Sequence, residues 1–137
     1  MLRIQSGFAI RSTLITVAII GVVLAAGVML LPRGFSDDTS KIGRGKPVAV
    51  LTHDKNTVYS QRVMELMNTV RDDYAGRVEF VVVELEAAKD RAFLQQQRVS
   101  SAMLLLFGPD GERRAALDNV TDERSLRAAL EQLLAAS

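Results

Sequence analysis

The sequence predicts an α/β fold, a mixed four-stranded sheet flanked by helices, preceded by one transmembrane helix. Short apolar runs alternate with segments of helical period after Pro47. The turn-forming run Gly108-Pro109-Asp110-Gly111 lies between two strand-like stretches, and Leu14 to Leu31 carries no charge. The first two observations define a sheet built from a crossover and a hairpin; the third defines a separate membrane element.

Taken in order, residues 1–12 form an N-terminal tail and residues 13–32 the transmembrane helix. Leu14 to Leu31 reads LITVAIIGVVLAAGVMLL, about the length needed to cross a hydrocarbon core of roughly 30 Å. Pro32 stops the helix and Arg33 reaches the headgroups, while Arg11, Ser12 and Thr13 border the other side. A cleavable signal peptide, with Ala25-Ala26-Gly27 as its cleavage site, is the rival reading. The apolar run exceeds the usual signal core and continues past the small residues, which favours an anchor. Gly21 and Ala25 form one small-xxx-small pair, a weak signal for helix contact that ordinary span composition explains as well. Charge counting across the span does not fix its orientation. A short N-terminal tail left in the cytoplasm would place the larger domain on the extracytoplasmic, or periplasmic, side.

Residues 33–46 read as a linker, rich in Gly, Ser, Asp and Lys, which leaves 47–137 as the folded domain. Val48 to Leu51 suits a buried strand. Val63, Leu66, Met67, Val70 and Tyr74 then recur with the spacing of one helical face, ended by Ala75-Gly76. Val78 to Leu85 predicts a second buried strand, and Ala87 to Gln97 a helix resting on Ala88, Ala92 and Phe93. Met103 to Phe107 is an apolar strand that turns at Gly108 to Gly111 into Glu112 to Leu117. Thr121 is placed to cap a last helix whose stripe is Leu126, Leu130, Leu133 and Leu134.

Composition narrows the function. The chain has 137 residues, 17 Lys and Arg against 16 Asp and Glu, 5% aromatics, no Trp and no Cys. That balance lacks both the basic excess and the stacking platforms of a nucleic-acid binder. His53 is the sole histidine; with only Asp54 beside it, no metal ligand set or catalytic triad can be assembled, and an exposed loop position is expected for it. Asp72, Asp73, Glu84 and Glu86, and the arginines at 113, 114, 124 and 127, read as solvated surface charge.

The order of elements, with Lys46-Pro47-Val48 opening the first strand, Asp73-Tyr74-Ala75-Gly76-Arg77 closing the first helix, and Leu104 to Phe107 with Gly111-Glu112 in the hairpin, resembles the thioredoxin-like superfamily. The resemblance covers Lys46 to about Leu134. Its Cys-x-x-Cys motif falls on Thr57-Val58-Tyr59-Ser60, so Thr57 and Ser60 occupy degenerate redox positions. The family's buried acidic residue falls at Leu51, and its flanking tryptophans near His53 and Asn56. Its cis-proline falls within Ser101, Ala102 and Met103, where no proline exists. A hydroxyl at neutral pH neither ionises nor forms a mixed disulfide, so disulfide exchange is lost.

The resemblance therefore implies a redox-inactive protein that is not an enzyme and uses no cofactor or metal. It would act as an accessory subunit binding a membrane protein partner, with the bilayer as its other contact. Two alternatives accompany this reading. One is a chaperone-like module that binds client polypeptides. The other is a glutathione-using enzyme built on the hydroxyl of Thr57 or Ser60, although helix capping accounts for both residue types.

Overall fold

The computed structural model describes residues 2–30 and 34–137, with side chains described from residue 10 to 26 and from 34 onward. The chain divides into two compact units, Met1–Gly34 and Phe35–Ser137. In the first, a single helix α1 runs Leu2–Leu30. It begins at Leu2 and not near residue 13, so the stretch expected to be a tail is helical. Polar residues at 11–13 mark a change of polarity, not a helix stop; Thr16 Oγ1 donates back to the Ser12 carbonyl at 2.9 Å within the helix. Ile10, Leu14, Ile15, Val17, Ile19, Ile20, Val22, Val23 and Leu24 are all exposed. Among the described residues no helix is long and apolar enough to cross a membrane. The span expected from Leu14 to Leu31 ends beyond the described side chains, and Leu31, Pro32 and Arg33 lie outside the described residues.

In the second unit, the strands are β1 (Val48–His53), β2 (Glu79–Glu84), β3 (Met103–Phe107) and β4 (Arg113–Leu117). They form one sheet in the order β2-β1-β3-β4. β1 and β2 are parallel, with Val50 opposite Val81, and β1–β3 and β3–β4 are antiparallel. The helices are α2 (Val58–Val70), α3 (Arg91–Gln97) and α4 (Glu123–Ala135). Strand alternation sends Ala49, Leu51, Leu104 and Leu106 to one face, where they meet Val63, Met67 and Val70 of α2 and Leu126, Leu130 and Leu133 of α4. Val48, Val50, Val81, Val83, Leu105 and Phe107 face the other way, against Leu94 and Val99. Burial on both faces explains why the central strands read as continuous apolar runs rather than alternating ones.

Several boundaries shift for identifiable reasons. The α-helical part of α2 ends at Val70, and a 3-10 turn over Arg71–Tyr74 delivers Tyr74 into the core before Gly76, at φ +80°, reverses the chain. The helix expected from Ala87 opens as a 3-10 turn, Ala88–Asp90. There the buried Asp90 carboxylate accepts the Glu84 N–H at 2.9 Å and ties the turn to the end of β2. Asp122, not Thr121, caps α4, because its carboxylate takes the Ser125 N–H at 2.8 Å while Ser125 closes a reciprocal capping box.

The linker expected over residues 33–46 is instead docked from Phe35 onward. Ser36 bridges Val81 as a parallel neighbour of β2, its carbonyl accepting the Val82 N–H at 2.8 Å. Phe35 lies against Phe80, ring centroids 6.4 Å apart, with the Arg71 guanidinium 4.1 Å above its own ring. Asp37 pairs with Lys89, and Lys41 and Lys46 both reach Glu79. Gly43, at φ +83°, presses on the backbone of Gly111. Gly43, one of the glycines that give this segment a linker composition, permits that close backbone contact. This segment shields part of the outer edge of β2, while exposed Arg113 and Arg114 charge the opposite edge at β4.

Candidate functional site

The end of β1, the start of α2 and the start of β3 converge at one end of the sheet, because a parallel crossover returns α2 over the strand it leaves. Thr57 is the N-cap of α2, in extended conformation, with its hydroxyl 3.4 Å from the Ser60 N–H and donating to the Asp54 carbonyl at 3.1 Å. Asp54 stabilises the preceding turn by accepting the Asn56 N–H at 2.9 Å. Asn56 in turn reaches Glu86 at 3.3 Å.

Ser60 is fully buried. Its hydroxyl accepts the Asp54 N–H at 2.9 Å and lies 2.6 Å from His53 Nδ1. A hydroxyl can donate as well as accept, so this short contact closes with either tautomer of the His53 ring. His53, expected as an exposed loop residue, is thus the half-buried last residue of β1, and its carbonyl accepts the Leu85 N–H at 3.0 Å. Ser60 cross-links strand, loop and helix. A nucleophile would need an open path to substrate, and this hydroxyl has no exposed surface, so the pair acts as a clasp and not as a serine–histidine dyad.

Leu51, where the resemblance places an acidic residue, is wholly buried in the apolar layer under α2. Ser101, Ala102 and Met103 are held by the buried Thr52. Its hydroxyl donates to the Ser101 carbonyl at 2.8 Å and accepts the Met103 N–H at 2.8 Å. No peptide bond among the described residues is cis. Neither clasp is visible as a motif in the sequence; a histidine ending a strand seven residues before a serine in the first turn of a helix is the trace the first one leaves.

Two adjacent side chains of α2 point in opposite senses. Tyr59 is drawn inward, its phenol accepting the Val120 N–H at 3.3 Å and lying 3.4 Å from the Leu117 carbonyl, and burial pushes its ionisation above the ordinary 10.0. Val58 is 83% exposed, a large apolar side chain displayed at the place where the resemblance would put the redox motif. No buried side-chain polar atom among the described residues lacks a partner, and none of the described His, Asp and Glu residues gather into a group able to hold a metal.

The chain has a thioredoxin-like fold and no cysteine with which to carry thiol chemistry. Among the solved structures that share the fold are thioredoxin O2 from Arabidopsis thaliana in its oxidized state and a malarial protein. The first is 16% identical, with a TM-score of 0.59, covering 70% of this chain and 82% of the other. The second is 17% identical, with a TM-score of 0.56, covering 65% of this chain and 98% of the other. No protein-family model matches the sequence, and no curated protein matches it.

Proposed function

We propose that this chain is a membrane-attached, redox-inactive thioredoxin-like protein that works by holding another protein, as an accessory subunit of a membrane complex. The observation that carries the reading is the sealed clasp around Ser60. The place that would hold a thiol is filled by a fully buried hydroxyl bonded to His53 and Asp54, so the fold is left with its surface as the working part. Support for attachment comes from α1, which turns apolar side chains outward along its described length, a pattern suited to lipid. In this reading the domain lies on the extracytoplasmic side.

Co-purification of the full chain from native membranes in mild detergent tests the proposal. A partner at fixed stoichiometry is the expected result; recovery of the chain alone, or only from the soluble fraction, would overturn it. The exposed Val58 favours a second reading, a chaperone-like module that holds client polypeptides through an apolar contact, for which the same experiment returns a heterogeneous set. Protease protection of the domain in sealed vesicles reports its side of the membrane. A glutathione-using enzyme would need the hydroxyl of Ser60 or Thr57, of which the first is fully buried and the second is engaged in capping α2; retention on a glutathione resin that Ser60→Ala abolishes would be needed to revive it.

A further inference from the structure

On the face of the sheet opposite α2 and α4, a cleft of about 450 Å³ runs along α3, floored by Leu85, Leu94 and Val99 and flanked by Arg91 and Arg98. We infer that it is a docking site for an acidic segment of a partner protein, a carboxylate carried beside an apolar side chain; this rests on the protein-binding reading above and gives it a location.

All 16 acidic residues lie after Gly34, but three of the 17 basic ones, Arg3, Arg11 and Arg33, precede it, so the domain has acids in excess. Most of its cations are engaged: Arg62 with Glu65, Lys89 with Asp37, Arg114 with Asp110, and Arg127 with Asp73 and Glu123. Arg113 donates to the Gln97 carbonyl at 2.7 Å, closing the end of α3. Among the described residues Arg91 and Arg98, like Arg44, Arg77, Arg113 and Arg124, form no ion pair with a carboxylate, and of these only Arg91 and Arg98 border the cleft along α3. Seven positions apart, at the start and the C-cap of α3, they border the cleft beside its apolar floor.

Arg98 is also placed against backbone preference. It sits at φ 58°, ψ 45°, the only non-glycine residue at positive φ among those described, terminating α3 where glycine would be comfortable. A guanidinium offers paired donors matched to a carboxylate or phosphate. The overall negative domain disfavours a polyanion or an anionic bilayer at long range, whereas a short segment with a carboxylate for each arginine and apolar groups beside them meets both the arginines and the floor.

The experiment uses the full chain, isotope-labelled, in zwitterionic detergent. The capped peptide acetyl-Leu-Glu-Glu-Leu-amide is titrated against its Gln-for-Glu counterpart, with phosphatidylglycerol-containing vesicles as a third arm. Saturable shifts confined to Leu85, Gln95 and the residues around Arg98, seen with the acidic peptide alone, are expected. Arg91→Gln combined with Arg98→Gly should weaken binding about tenfold, in line with two exposed charge contacts removed. The glycine suits the left-handed position, so that loss is not a loss of fold. Equal binding of the Gln peptide, undiminished binding by the double variant, or response to vesicles alone would each overturn the inference. If the double variant still captures the same stoichiometric partner from membranes, the cleft is eliminated while the protein-binding reading stands.

Discussion

Replacing Ser60 by alanine removes one oxygen from a fully buried position and leaves two groups without a partner, the Asp54 N–H and His53 Nδ1. Abandoning a buried hydrogen-bonding group costs about 1–3 kcal/mol, and alanine returns roughly 0.5 kcal/mol because it is the better helix former in α2. The net loss is about 1.5 kcal/mol. For a domain of this size each kcal/mol moves the melting midpoint by roughly 4–8 °C, so the variant should melt about 6–12 °C lower. Scanning calorimetry of the full chain in detergent measures this. Amide exchange at Asp54 localises it, since that N–H loses its acceptor and should exchange faster while the amides of β3 do not. A midpoint within about 2 °C of the parent, with unchanged exchange at Asp54, would refute the clasp, because a shift that small lies below any net loss of a buried partner.

The docked segment before Pro47 gives a second test: Phe35→Ala removes a half-buried ring from Phe80 and Arg71 and should cost about 1–2 kcal/mol by denaturant titration, where a free linker would cost nothing. Gly111→Ala meets the Gly43 backbone at 3.1 Å while holding φ at +86°, so it should destabilise the domain by about 1–2 kcal/mol in the same titration. At Asp122 the backbone N–H of Ser125, followed by the Ser125 hydroxyl, holds the carboxyl below its ordinary 3.8. A carboxyl with a depressed folded value stabilises above its unfolded value and loses that stability as pH falls from near 3.8 through the folded one. Asp122→Asn keeps a capping oxygen without the charge, so denaturation midpoints compared at neutral and acid pH should fall less steeply for the variant than for the parent.

Where sequence and structure part company, the cause is contact between distant segments. Val63, Met67 and Val70 were legible as one face of a helix, because a period near 3.6 forces them to one side whatever they meet. The residues of β3 were legible because an uninterrupted apolar run bounded by Gly108-Pro109 has few alternatives. Residues 35–46 were misread because composition records the polarity and flexibility of a segment, whereas docking depends on what lies opposite: Phe80, Glu79, Lys89 and Gly111. Thr121 and Asp122 are both competent caps one residue apart, and only the reach to Ser125 decides between them. His53 lost its expected solvent exposure to a serine in the next element, seven residues along.

The sequence by itself determined the chemistry that is missing. With no sulfur nucleophile in the chain, thiol exchange is closed to it in any fold, because reactivity belongs to atoms and not to their arrangement. It also determined the alternation of elements, since apolar periodicity is a local property. Only the tertiary structure decided that the Ser60 hydroxyl is sealed, that the supposed linker guards the edge of β2, and that Arg91 and Arg98 face a common cleft. Burial, pairing and proximity are relations between residues far apart in the chain, and they exist only once the sheet has brought those residues together.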